Sequence, residues 1–80
     1  MTIAYKPKGV CSNHINLDVD DGIINHVKFE GGCPGNLLAI GKLLQGKDVI
    51  ETIEKLNGIK CGHKETSCAD QLAQALKTTL

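Results

Sequence analysis

Cys33 stands in the run Gly31-Gly32-Cys33-Pro34-Gly35, between a strand-like stretch and a helix-like one. Pro34 suits the first position of a helix, where a missing N–H forfeits no bond. Cys33 is then the cap residue at the positive end of the helix dipole, and the unpartnered N–H groups there favour a thiolate over a thiol. The thiolate is the form that ligates metals and attacks disulfides. Cys11, Cys61 and Cys68 complete a set of four, spaced C-x21-C-x27-C-x6-C. That spacing contains no C-x2-C knuckle, so neither an ordinary zinc ribbon nor a redox Cys-x-x-Cys pair is written in it. A spread set still converges if each cysteine lies at the end of an element and those ends share one pole of the domain. Four thiolates around one ion suit tetrahedral zinc or an iron–sulfur centre.

Other readings of the same residues stay open. The cysteines can be four small apolar side chains in an aliphatic core, they can form disulfides, or Cys33 or Cys68 can act as a low-pKa nucleophile at a helix start. Met1 to Pro7 holds no apolar signal segment, and no run approaches the ~20 apolar residues of a membrane span. The expected compartment is therefore the reducing cytoplasm, where cysteine clusters bind metals or do redox chemistry more often than they form staples. Among the histidines, His14 and His26 fall at polar positions of a hairpin and read as surface residues. His63, two residues from Cys61, is a candidate replacement ligand. The acidic residues Asp18, Asp20, Asp21, Glu51 and Glu54 read as turn and surface groups. The local sequence pairs no nucleophile with a base, and Gly31, Gly32 and Gly35 lack the dinucleotide-binding spacing.

Composition narrows the partners. The chain has 80 residues and a net charge of zero, and all nine basic residues are scattered lysines. With one Phe, one Tyr and no Trp, it lacks both the basic stripe and the stacking platforms of nucleic-acid binders. A single domain over residues 1–80 must build its core from Leu, Ile and Val. At this size such a core is marginal, and metals, disulfides or oligomer contacts often supplement it.

The elements that must position the cysteines are read from periodicity. Ile3-Ala4-Tyr5-Lys6 alternates and reads as a short edge strand ended by Pro7. His14 to Val19 alternates polar and apolar residues, the mark of a half-buried strand. Asp20-Asp21-Gly22 is a tight hairpin turn, and Ile23 to Glu30 returns as the second strand. Ile23, Val27 and Phe29 share one face of it, with Asn25 a polar intruder. Leu37, Ile40, Leu43 and Leu44 then recur at helical spacing, and Gly46 stops the helix. Asp48 with Glu51 forms a capping-box pattern ahead of an apolar stripe of Val49, Ile50, Ile53 and Leu56, ended at Asn57-Gly58. Ile59 to Thr66 is a loop that carries Cys61. Ser67 caps a last helix, with Asp70 three residues on and Cys68, Leu72, Leu76 and Leu80 along one face. Strands first and helices second predict an α+β fold: a small antiparallel sheet, hairpin plus short edge strand, with about three helices packed on one face.

Thr66-Ser67-Cys68-Ala69-Asp70-Gln71-Leu72-Ala73, together with Gly32-Cys33-Pro34-Gly35-Asn36, resembles the TSCPD domain family, named for a Thr-Ser-Cys-Pro-Asp run. Ala69 stands at the family's proline. The resemblance extends over nearly the whole chain and matches small free-standing members with four cysteines. Related domains occur at the C-terminal end of vitamin-B12-dependent ribonucleotide reductases. The resemblance implies metal binding through cysteines and a protein partner connected with ribonucleotide reductase or with cluster assembly. A more distant similarity links the chain to U-type scaffolds for iron–sulfur cluster assembly, whose cysteines precede a hairpin, open one helix and open a late helix. Cys11, Cys33 and Cys68 occupy comparable places, and Gln45-Gly46-Lys47 resembles the scaffold's interhelical turn. Asn13 stands where the scaffold has an acidic residue, Gly62-His63-Lys64-Glu65 replaces the chaperone-docking stretch, and Cys61 is extra. Three sulfurs and a labile carboxylate suit cluster transfer, whereas four sulfurs suit a closed site that keeps its ion. The expectation is a small metal-binding accessory or interaction protein holding zinc on Cys11, Cys33, Cys61 and Cys68. An iron–sulfur carrier and a cysteine-based redox protein are the alternatives.

Overall fold

The computed structural model describes residues 1–10, 12–31, 34–60 and 62–80, with the side chains of Ser12 and Pro34 excepted. Among them the chain forms strands β1 (Thr2–Tyr5), β2 (Ser12–Asp20) and β3 (Ile23–Gly31), then helices α1 (Pro34–Leu44), α2 (Val49–Leu56) and α3 (Cys68–Lys77). The sheet is antiparallel in the order β1-β2-β3. This is the α+β fold expected, with the short strand at one edge.

The hairpin turn is built by two residues with positive φ, Asp21 at 52° and Gly22 at 75°. That is the combination whose twist matches the flanking strands and which Asp-Gly supplies at least cost. The strict alternation of β2 sends Ile15, Leu17 and Val19 to one face, where each is buried. Against that face pack Val49 and Ile53 of α2 and Leu72, Ala75 and Leu76 of α3, with Ile40 and Leu44 of α1 alongside. Ile15, Ile24, Leu72 and Leu76 are fully enclosed, and each such side chain stabilises the fold by about 1.5–3 kcal/mol relative to exposure.

The second hairpin strand departs from simple alternation, and the register explains how. Asp18 pairs with His26 but Val19 pairs with Ile24, so Asn25 is an extra residue, a β-bulge. The bulge switches parity: Val27 and half-buried Phe29 face the core beyond it, and Ile24, not Ile23, faces the core before it. Ile23 is exposed, and Asn25 points to solvent, where its amide donates to Asp20 Oδ2 at 2.9 Å. The polar intruder is the bulge itself.

The outer edge of β3 is covered by the segment that joins α1 to α2. Ile24 N–H donates to the Lys47 carbonyl at 2.9 Å, Gly46 N–H donates back to Ile24 at 2.7 Å, and Val49 N–H reaches Gly22 at 2.8 Å. This segment thus serves as a scrap of fourth strand, bridging Ile23 to Asp48. Further along, α1 approaches so closely that a Cβ on Gly41 would lie 2.7 Å from the Val27 carbonyl oxygen. Only a residue without a side chain permits that contact.

Three apolar residues assigned to helix stripes are exposed instead. Leu43 and Ile50 face solvent; in α2 the buried place is taken by Thr52, whose hydroxyl is satisfied by the Asp48 carbonyl at 2.7 Å. Leu80 lies beyond α3, because Thr78 and Thr79 turn their hydroxyls back onto the Ala75 and Leu76 carbonyls at the helix end. A four-residue repeat also drifts by roughly 40° per step around a helix, so it cannot hold one face over twelve residues. The capping pattern at α2 is half realised: Asp48 accepts from Glu51 N–H at 2.9 Å, while the Glu51 carboxylate pairs with Lys55 at 3.1 Å.

Candidate metal centre and its supports

Ser67 sets the start of α3. Its extended backbone makes it the N-cap, and its Oγ accepts from Asp70 N–H at 3.1 Å while donating to the Ile59 carbonyl at 2.7 Å. One hydroxyl therefore satisfies a helix-terminal donor and pins the loop that leaves α2. Cys68 comes next, half-buried, as the first residue of α3. Ala69 is the second. The first-turn N–H groups of a helix have no intrahelical partner, so Ala in place of the family's Pro changes no helical bond.

Asp70 is 8 % exposed. Its Oδ1 accepts from Gly58 N–H at 2.7 Å, and its Oδ2 accepts from the Thr66 hydroxyl. These donors, the hydroxyl foremost, hold the carboxyl below its ordinary value, with burial opposing. Gln71, equally buried, continues the chain: its Nε2 donates to Thr66 Oγ1 at 3.0 Å, and its Oε1 accepts from Lys8 N–H at 3.0 Å. Gly9 sits against Thr66, where a Cβ would meet the Thr66 methyl at 3.4 Å. Every buried side-chain nitrogen or oxygen among the described residues has a partner.

Of the expected ligands, Cys11, Cys33 and Cys61 lie outside the described residues, and Cys68 lies within them. The described residues flanking the set are drawn together nonetheless. Lys8 and Gly9 lie against the Thr66–Gln71 turn, Ile59 lies against Ser67, and Ser12 pairs across the sheet with Gly31. Three residues of chain span at most about 10 Å, so Gly9 and Ser12 cannot be far apart. In sequence, Cys11 immediately precedes β2 and Cys33 immediately precedes α1. The histidines are all exposed; His14 meets Glu30 at 3.6 Å, a cross-strand surface pair. Among the described residues no three His, Cys, Asp or Glu side chains gather as a metal-binding group. No described helix is long and apolar enough to cross a membrane.

A groove of about 440 Å³ opens between β3 and α1, lined by Val27, Phe29, Leu37 and Leu38 together with His26 and Lys28. Among the described residues it joins no carboxylate or thiol to that histidine. The relay through Thr66, Asp70 and Gln71 is not visible in the pattern of residues. Asp70 reads there as the partner of the Ser67 cap, and nothing local announces that Gln71 meets Lys8, 63 positions away.

The fold defines a class, a small α+β domain of a three-stranded antiparallel sheet and three helices, and in sequence Cys11 precedes β2, Cys33 precedes α1 and Cys68 opens α3. The chain belongs to the TSCPD domain family, whose model matches residues 3–80. No curated protein and no solved structure matches it.

Proposed function

We propose that this chain is a small metal-binding accessory module in which Cys11, Cys33, Cys61 and Cys68 hold one zinc ion. The single observation that carries the reading is the gathering of described flanks at the start of α3: Lys8-Gly9 and Ile59 both lie against the Thr66–Gln71 turn that holds Cys68. The donor set suits the ion. Four thiols are soft ligands that favour zinc or iron–sulfur over hard cations, and four protein ligands close the coordination sphere, as in structural rather than catalytic zinc sites. Bound zinc would tie the hairpin to α1 and α3, supplementing a core made almost wholly of aliphatic side chains. The role is then to hold a surface in shape for a protein partner.

The test is metal analysis with an absorption spectrum, on protein purified without added metal. The expected result is one zinc per chain and no visible colour, with uptake reduced in each Cys→Ser variant. Fully folded, metal-free protein that takes up no added zinc overturns the reading. A brown protein that accepts iron and sulfide transfers the same four residues to an iron–sulfur centre.

A further inference from the structure

The chain holds a single Asn-Gly pair, Asn57-Gly58; its other asparagines precede His14, Leu17, His26 and Leu37. In an Asn-Gly pair the glycine nitrogen can attack the side-chain amide, because no Cβ crowds its approach. The nitrogen loses its proton to water and bonds to Asn57 Cγ. The Cγ–Nδ2 bond breaks, and ammonia leaves with a proton taken from water. Water then opens the succinimide at one carbonyl or the other and leaves aspartate or isoaspartate. Water is consumed and ammonia released, and no other reagent is needed.

Asn57 and Gly58 are both exposed, so water reaches them, yet the fold holds the reacting atoms apart. Asn57 is the C-cap of α2, with ψ at 130° and its N–H donating to the Ile53 carbonyl. Ring closure needs the Gly58 nitrogen eclipsed with Asn57 Cβ about the Cα–C bond, which in an L-residue lies at negative ψ. The observed angle turns that nitrogen well away. Gly58 N–H donates to Asp70 Oδ1 at 2.7 Å, so its proton is engaged, and an anionic nitrogen beside a carboxylate is opposed by like charge. The side chain is held as well: Asn57 Oδ1 accepts from Lys77 Nζ at 2.9 Å and from Gln74 Nε2 at 3.1 Å. Attack must therefore break the Gly58–Asp70 bond and swing the asparagine amide off α3.

We propose that Asn57-Gly58 is a guarded modification site, deamidating spontaneously when the end of α2 parts from α3 and held off in the closed fold by Asp70. No atom of it belongs to the candidate metal centre. Aspartate at position 57 sets a carboxylate beside Lys77 and leaves the main chain unchanged. Isoaspartate lengthens the main chain by a methylene and shifts Gly58 N–H from Asp70. The modified chain is a one-way record of that opening.

The test incubates the full chain at mildly alkaline pH, folded and in urea, and follows by mass spectrometry the replacement of NH2 by OH at position 57, with isoaspartate assayed separately. Position 57 is expected to convert in urea ahead of every other asparagine, and far more slowly in the folded parent, because modification follows the population of the open form. Asp70→Ala should speed the folded-state reaction roughly 10- to 100-fold, the loss expected for a hydrogen bond to a charged group. Asp70→Asn, which still offers Gly58 N–H an oxygen, should stay closer to the parent. Should Asp70→Ala fold poorly, the parent in urea below its unfolding transition serves instead, where modification and Gly58 amide exchange should rise together. A position 57 that does not convert in urea overturns the site. Equal rates in folded and unfolded parent overturn the guard. So do an Asp70→Asn variant as fast as Asp70→Ala and a modification rate that ignores Gly58 exchange.

Discussion

The two poles of the sheet are closed by different means. At the hairpin turn the segment between α1 and α2 is stitched to the hairpin by backbone bonds: Ile24 to Lys47, Gly46 to Ile24 and Val49 to Gly22. At the opposite pole the stitching is by side chains, Ser67 to Ile59, Asp70 to Gly58 and Gln71 to Lys8. Backbone bonds depend on turn geometry, which many sequences supply. Side-chain bonds depend on the residue at each position, and a single truncation leaves a partly buried partner unsatisfied at a cost of about 1–3 kcal/mol. The residues Thr66, Ser67, Asp70 and Gln71 are therefore chemically constrained in a way that Lys47 is not. Cys68, the first residue of α3, lies at the constrained pole.

On the zinc proposal, removing the ion should separate the poles most sharply. Structural zinc contributes on the order of 10 kcal/mol in small zinc domains, and for a domain of this size each kcal/mol moves Tm by about 4–8 °C. Chelation is expected to lower Tm by well over ~10 °C. Amide hydrogen exchange should accelerate first at Lys8, Gly58 and Asp70, and last at Ile24, Gly46 and Val49. Uniform acceleration over both poles would show that the ion, if bound, does not belong to the side-chain pole.

The converse perturbation is Gly41→Val. A Cβ there lies 2.7 Å from the Val27 carbonyl, so α1 must lift from β3, at about 1–3 kcal/mol for overpacking. Denaturant unfolding should report that loss as a lowered midpoint. A weaker pair of probes compares the caps directly. Ser67→Ala and Asp48→Ala each remove a side-chain N-cap, worth about 0.5–2 kcal/mol. Ser67→Ala should also weaken zinc binding, because it frees Ile59 from α3; Asp48→Ala should not. Equal effects on zinc would erase the distinction between the poles.

How far the sequence carried depended on the range of the interactions. The alternation from His14 to Val19, the Asp21-Gly22 turn, the Pro34 helix start and the Ser67 and Asp48 caps are local patterns, and each is found where local physics puts it. The strand order comes from the same elements, because short connections leave few ways to pair them. What local reading misses is set across the chain. Ile23 and Ile24 are equally apolar, and only the pairing of Val19 with Ile24 decides which is inside. Leu43, Ile50 and Leu80 carry helical spacing yet meet no second layer. Gly41 looks like an ordinary helix defect until β3 is placed beside it. Cys68 at the first position of α3 was legible from Ser67; the relay through Gln71 to Lys8 was not, since an uncharged glutamine on a helix gives no sign of a partner far along the chain.

The smallest effect expected is at Asn25, and it bears on the backbone-stitched pole. Its amide bond to Asp20 is exposed, so Asn25→Ala should change stability by no more than about 0.5 kcal/mol. The bulge does not need the asparagine side chain, because the extra residue is held by pairing on both sides of it, Val19 with Ile24 and Asp18 with His26. Deleting the residue removes the bulge and leaves the pairing as it is: Val19 still meets Ile24 and Asp18 still meets His26, with Ile24 and Val27 on the core face. If Asn25→Ala instead destabilised the fold as strongly as Ser67→Ala, the turn pole would depend on side-chain identity as the Ser67 pole does, and the contrast between them would fail.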